Sequence, residues 1–340
     1  MTYRHYVVHE YGGREVLQLE ESEIPTPGPN EVGIRIRAAG VAFGDIFRQA
    51  GVAPGGPKPP YTPGYDVVGV VDRRGEQVTS VEIGQIVAAL PAAMHYGGYA
   101  EYIVLPADRV VPLPGGLDPA EIACLTLNYV TAYQVLVRVA HAEAGQRALI
   151  HGAAGGAGSA MLEVGRELGL DVYGTASAPK HDLVRNLGAI PIDYRSEDFV
   201  ERVMTLTGDG VDMAVDPIGG RHYKRSFSVL RRGGTLVATG AYNASVGRAG
   251  QLETMTGFMR LPLWNALPNG RSATLYACEG LNKKRPDFYA DDLTMLVGWL
   301  AGGRIKPVIA RRMRLEEAPQ AQQLLIEAGV RGKIVLIMGE

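Results

Sequence analysis

The spacing of apolar residues changes character near Leu117. Before it, short runs such as Val32–Ile36, Val67–Val71, Ile86–Leu90 and Tyr99–Val104 are split by Gly- and Pro-rich breaks, among them Pro25-Thr26-Pro27-Gly28-Pro29 and Pro57-Lys58-Pro59-Pro60. Short strands punctuated in this way predict an irregular, barrel-like β domain. Beyond Leu117 the pattern predicts a helix over 118–140, then strands at 148–150, 171–175, 190–193, 211–215, 234–239 and 273–278 with helical segments between. Strands alternating with helices imply right-handed crossovers and a parallel sheet. The tail resumes the earlier pattern, with Ile305-Lys306-Pro307-Val308, a helix near 317–328 and a strand Ile334–Met338. The simplest organisation is an α/β, doubly wound nucleotide domain (123–280) inserted into a β-rich domain built from 1–122 and 281–340, with a cleft between them. Residues 243–271 lean helical, and their apolar face (Met255, Phe258, Met259, Leu263, Trp264) suits packing on the protein or on a partner subunit.

One stretch inside this pattern carries recognisable chemistry. Strand Ala148-Leu149-Ile150 runs into Ala153-x-Gly155-x-x-Gly158, then an amphipathic helix, then a second strand ending at Thr175. This is the dinucleotide fingerprint with alanine in place of its first glycine. Gly155 lets backbone approach a pyrophosphate, Gly158 lets the helix pack on the strand, and the amides opening the helix face the phosphates. Ala154, Gly155, Gly156, Ala157 and Thr175 are therefore candidate cofactor contacts.

Charge selects the nucleotide. NADH sites place Asp or Glu at the end of the second strand, on the ribose hydroxyls. Here that position and its neighbours read Thr175-Ala176-Ser177-Ala178-Pro179-Lys180-His181, with no acid before Asp182. Ser177 can donate to a 2′-phosphate, Lys180 can neutralise it, and Tyr194 at the next strand end is a third candidate contact. The expected cofactor is NADPH.

Composition narrows the class. The chain has 340 residues, 46% hydrophobic and 21% charged, with a formal net charge of −2. Basic residues are scattered among acids, so no nucleic-acid surface is expected. The N-terminus lacks a signal-peptide core and no run of 18 apolar residues exists, so neither a membrane partner nor export is expected. Two cysteines, Cys124 and Cys278, make neither a disulfide framework nor a four-thiolate zinc site. The expected compartment is the cytoplasm.

The element order and several motifs together resemble the medium-chain dehydrogenase/reductase superfamily, in its zinc-free quinone oxidoreductase branch. The motifs include Pro63-Gly64-x-Asp66-x-x-Gly69-x-Val71, Asn128-Tyr129-Val130-Thr131-Ala132-Tyr133 and Gly174-Thr175-Ala176-Ser177-x-x-Lys180. Asp216-Pro217-Ile218-Gly219-Gly220, Gly233-Gly234-Thr235-Leu236-Val237 and Gly303-Arg304-Ile305-Lys306-Pro307 are especially similar to the subgroup of the vesicle amine transport protein homologues. The resemblance implies a Rossmann nucleotide domain in a GroES-like catalytic domain. It also implies a homodimer joined through the 273–278 strand.

In zinc alcohol dehydrogenases of this superfamily the catalytic ligands fall at positions matching Ala42, Tyr65 and Leu127, and none of these offers a nitrogen or sulfur donor. Without a Lewis acid to acidify an alcohol, alcohol oxidation is hard. A nicotinamide alone still delivers hydride to an electrophile such as a quinone or an α,β-unsaturated carbonyl. The resemblance puts the nicotinamide near Phe43, Thr131, Gly240 and residues 277–279, and brings the Arg331-Gly332-Lys333 segment to the cofactor. Tyr65, Tyr129, Asn128 and Phe47, with Tyr96 and Tyr99, are the substrate-side candidates. The chain departs from the branch at Ala42, where relatives commonly carry asparagine, and at Phe47, where some carry tyrosine. Phe47 has no proton to donate, so protonation falls to solvent or to Tyr65 or Tyr129. His151 is expected to be a buried strand-end residue, and His95 structural or exposed. The two departures keep a second reading open, an NADPH-binding regulatory or interaction protein with weak or no turnover.

Overall fold

The computed structural model describes residues 1–53, 56–91 and 96–339. Two compact units emerge, one of Met1–Val130 with Asp287–Glu340, the other Thr131–Pro286. His95 lies outside the described residues.

In the first unit a seven-stranded sheet joins strands from the early part of the chain to two from its C-terminal part. Strand Glu31–Val41 is its hub, antiparallel to Val67–Arg74 and Tyr102–Pro106, and, through the register Ile334↔Val41, to the C-terminal strand Lys333–Ile337. Val32, Ile34 and Ile36 are buried at a period of two while Arg35 faces solvent, the alternation of a half-covered sheet. A hairpin, Thr2–Val8 with Leu17–Glu23, adds Tyr6, Val8 and Leu17 to the same core.

The second unit holds a six-stranded parallel sheet. Its spatial order is Ile190–Asp193, Asp171–Ala176, Arg147–His151, Val211–Asp216, Leu230–Ala238 and Ser272–Leu275. Counted along this unit the order is 3-2-1-4-5-6, the doubly wound arrangement, with its topological switch between Arg147–His151 and Val211–Asp216. Ligands bind such sheets at the carboxyl ends of the strands flanking the switch. Here those ends are His151 and Asp216.

Several sequence expectations are corrected in detail. The strand expected at Tyr99–Val104 is Tyr102–Pro106, because Tyr99 is held by hydrogen bonds outside the ladder, donating its amide to the Pro63 carbonyl. The strand expected at 273–278 stops at Leu275, and Cys278 opens a helix to Lys284. The extended tail piece lies at Ile309–Arg314 instead of 305–308, beyond Pro307. Helix 118–140 is found as the helical run Pro119–Val139, interrupted by π segments at Leu125–Tyr129 and Gln134–Val139. It is the one helix among the described residues long and apolar enough to cross a membrane, and most of it is buried inside the protein.

Candidate active site

The turn after strand Arg147–His151 keeps its glycines for distinct reasons. Gly152 adopts φ +67°, the left-handed conformation that side chains disfavour. Because Gly152 takes this conformation, the next position tolerates Ala153, which is buried. Gly155 donates its amide to the Gly152 carbonyl at 3.0 Å and caps helix Gly156–Glu167 with extended backbone. The Ser159 amide reaches the Gly155 carbonyl at 2.8 Å; the amides of Gly156, Ala157 and Gly158 precede that bond. Such leading amides have no partner within their own helix and attract anions. A Cβ on Gly158 would strike the Gly152 carbonyl and lie 2.7 Å from the Ala153 Cα. A Cβ on Gly155 would sit 3.3 Å from the same carbonyl oxygen. The result is a close-packed backbone turn whose leading amides are of the kind that attract anions.

Beside it, the second strand ends at Ala176, in register with Asp193 of its neighbour. The next residues of both strands, Ser177 and Tyr194, therefore emerge at one edge. Ser177 is buried and caps the short turn carrying Lys180, whose amide reaches the Ser177 carbonyl at 2.8 Å. Tyr194 is exposed, with the Arg195 guanidinium 5.9 Å from its ring centroid. Asp182 stands in the following helix, paired with Arg185 at 2.9 Å. The Asp193 carboxylate accepts from the Arg195 amide and the Ser196 hydroxyl.

Thr175 turns inward. Its Oγ1 lies 3.0 Å from His151 Nδ1 and accepts the Gly152 amide at 3.3 Å. His151 is buried and hydrogen-bonded, as its strand-end position implies, with Nε2 3.1 Å from Ser226 Oγ. Ser226 donates to Asp216 Oδ2 at 2.6 Å, and His222 Nδ1 reaches the same oxygen at 2.7 Å. In the sequence Asp216 stands out only as part of a motif, and nothing there links it to His222 or Ser226.

Burial, aided by His222, lowers the His151 pKa from 6.5 to about 3. Burial alone would raise the Asp216 carboxyl, but hydrogen bonds from His222 and Ser226 and the nearby imidazoles hold it at about 2. Between pH 6.5 and 3 the unfolded chain takes up a proton at His151 that the folded chain refuses. The stability tied to that neutral ring is complete above pH 6.5 and falls on acidification by about 1.4 kcal/mol per pH unit. Asp216 adds a loss from pH 3.8 towards 2. Asp45, raised by burial from 3.8 to about 6, works the other way, favouring the fold as pH falls across that interval. Urea midpoints at pH 7 and pH 5 should show His151→Asn losing about 2 kcal/mol less than wild type over that range. Equal losses would show that His151 is not held neutral.

In the β-rich unit, helix Phe43–Gln49 carries Phe43 and Phe47, both half-buried. The Arg48 guanidinium lies 4.3 Å from the Tyr65 ring centroid and 5.2 Å from that of Tyr96, and the two rings meet edge to face. Tyr99 donates to Asp45 Oδ2 at 3.1 Å, and Asp45 also accepts the Ala42 and Gly64 amides. Tyr99 is thus a structural residue bracing the loop.

Asn128 and Tyr129 lie buried in the first π segment, a feature common at functional sites. Lys333 Nζ is buried, 2.7 Å from Asp66 Oδ2 and 3.5 Å from Asn128 Oδ1. Gly40 donates its amide to the other Asp66 oxygen, and a Cβ there would collide with the Lys333 side chain. The Lys333 ammonium is therefore engaged inside this unit. In the nucleotide unit, Thr131 hydrogen-bonds the Cys278 thiol, and the Gly240 carbonyl accepts from Tyr223 at 2.6 Å.

Comparison with known proteins agrees with this layout. The zinc-binding dehydrogenase family matches residues 187–336, and the alcohol dehydrogenase GroES-like domain matches residues 28–115. The quinone oxidoreductase of Sus scrofa is 32% identical over 338 residues, covering 97% of this chain and 96% of that protein. The synaptic vesicle membrane protein VAT-1 homolog of Danio rerio is 30% identical over 341 residues, covering 98% of this chain and 70% of that protein. The Escherichia coli quinone oxidoreductase, solved in complex with NADPH, matches with a TM-score of 0.87 at 27% identity, covering 99% of this chain and 100% of that one. The parallel sheet with its glycine turn, the separate β-rich unit and these likenesses along nearly the whole chain converge: the chain belongs to the medium-chain dehydrogenase/reductase superfamily of oxidoreductases, among its quinone oxidoreductases and VAT-1 homologues.

Proposed function

We propose that this protein is an NADPH-dependent, zinc-independent reductase of quinones or α,β-unsaturated carbonyls. The observation that carries the reading is the backbone cradle of Gly152–Gly158 beside a strand end that offers Ser177 and Lys180 and no carboxylate before Asp182. Amides around Ala154, Gly155, Gly156 and Ala157 hold the pyrophosphate, while Ser177, Lys180 and Tyr194 hold the 2′-phosphate. Thr175 acts through His151 and the Gly152 amide. Thr131, Gly240 and Phe43 orient the nicotinamide end, and Lys333 acts through Asp66 and Asn128. NADPH, when bound, supplies the hydride.

The chain's own residues position the acceptor, exclude water and stabilise negative charge on its oxygen. Tyr65, lying against Arg48 and Tyr96, is the foremost acceptor-side residue, with Asn128, Tyr129 and Phe47 as further candidates. Because Phe47 has no hydroxyl, the product is protonated by solvent or by Tyr65 or Tyr129. Ala42, Tyr65 and Leu127 supply none of the nitrogen or sulfur donors of a catalytic zinc.

Steady-state oxidation of NADPH against a panel of quinones and enones tests the reading; turnover with at least one member is expected. Coenzyme binding without any turnover would favour the second reading, a regulatory protein, which the departures at Ala42 and Phe47 support. The enzyme is expected to act in the cytoplasm as a homodimer. Edge strand Ser272–Leu275, with Leu275 exposed, is the pairing surface. A monomer in sedimentation velocity would contradict that assembly.

A further inference from the structure

The ligand atoms of His151, Asp216 and His222 lie within 4.8 Å of one another, a grouping that first suggests a cation site. Ser226 argues otherwise. Its Oγ sits among them, 2.6 Å from Asp216 Oδ2, 3.1 Å from His151 Nε2 and 3.4 Å from His222 Nδ1. The grouped ligand atoms then have partners without an ion.

The directions of these bonds follow from counting protons. Ser226 gives its single proton to Asp216, so His151 Nε2 must donate to Ser226. Burial favours the neutral ring, whose Nδ1 then accepts from the Thr175 hydroxyl, whose oxygen in turn accepts the Gly152 amide. At the other end Asp216 Oδ1 accepts the Ile218 amide at 2.7 Å and the Gly219 amide at 3.3 Å. Gly152 opens the phosphate cradle. The Pro217 and Ile218 carbonyls accept the amides of Tyr242 and Asn243, which follow Gly240.

We propose that Thr175, His151, Ser226 and Asp216 form one directed hydrogen-bond relay that locks the phosphate cradle to the Pro217–Gly220 loop and the Gly240 segment, so that Thr175, His151 and Ser226 are positioning residues for the coenzyme. The relay rests on the NADPH reading of the site. The Thr175 hydroxyl can donate to Nδ1 only when the ring is neutral, a state favoured first by burial. Arg225 and His222 disfavour a proton on His151, Asp216 favours one, and the Phe199 ring lies edge to face at 4.7 Å.

The test uses the whole chain. Thr175→Val removes the hydroxyl at nearly constant shape, and Thr175→Ser restores it. Fluorescence titration should show Thr175→Val weakening NADPH by about tenfold, the loss of one buried hydrogen-bond partner, with Thr175→Ser close to wild type. Nitrogen-15 spectra of histidine-labelled protein, with the His151 signal assigned by its loss in His151→Asn, should show the Nε2-protonated neutral tautomer from pH 7 to pH 5. Wild-type NADPH affinity in Thr175→Val, an Nδ1-protonated or charged ring, or stoichiometric Zn²⁺ uptake abolished by His222→Ala would each overturn the relay. The spectra are read on the coenzyme-free protein, so a chain that binds no NADPH would refute the function while the tautomer still tests the relay.

Discussion

Gly158→Ala is expected to weaken NADPH binding severely while leaving a folded protein. The added methyl would meet the Gly152 carbonyl oxygen and lie 2.7 Å and 2.9 Å from the Ala153 Cα and carbonyl carbon. All three are backbone atoms of the cradle, so no side-chain rotation can relieve the clash. Overpacking of this kind costs about 1–3 kcal/mol, and more where backbone must shift. The shift occurs where the leading amides of helix Gly156–Glu167 are aimed, so the loss falls on phosphate contacts. Calorimetric titration should show affinity reduced about 100-fold or more. A variant with wild-type affinity would mean that coenzyme does not use this turn.

The second large effect concerns stability. Lys333 and Asp66 form an ion pair with both side chains almost wholly removed from water. Asp66→Asn leaves an ammonium buried opposite a neutral amide, and breaking a buried pair from one side costs about 3–5 kcal/mol. Replacing both members by apolar residues, Asp66→Leu with Lys333→Met, removes the stranded charge and should recover part of that loss. The recovery stays incomplete because the Gly40 amide loses its acceptor. Urea unfolding of wild type, Asp66→Asn and the double variant measures the loss and its recovery. An Asp66→Asn midpoint equal to wild type would show that the Lys333–Asp66 pair does not hold the fold together.

The nucleotide unit is legible in the sequence because its signals are local. A strand, a glycine turn, a helix and a second strand follow one another within Arg147–Ala176, and periodicity alone orders them. The corrections arise where tertiary contacts override local pattern. Tyr99 reads as strand but donates to Asp45, 54 residues away. Nor does any spacing rule announce the buried pair of Lys333 with Asp66, 267 residues distant. The relay is invisible in the sequence for the same reason, since His151, Thr175, Asp216 and Ser226 come from three strand ends and a helix that only the sheet order brings together. The fingerprint carries alanine in place of its first glycine. The positive φ sits at Gly152 instead, so Ala153 carries no strain.

The most direct test is a paired calorimetric titration of wild type and Lys180→Ala with NADPH and with NADH. Wild type should bind one NADPH per chain, more tightly than NADH. Lys180→Ala should lose roughly 1.5–3 kcal/mol for NADPH, a charge-assisted phosphate contact, and little for NADH. No binding of either nucleotide by wild type, or equal losses for both in the variant, would contradict the account.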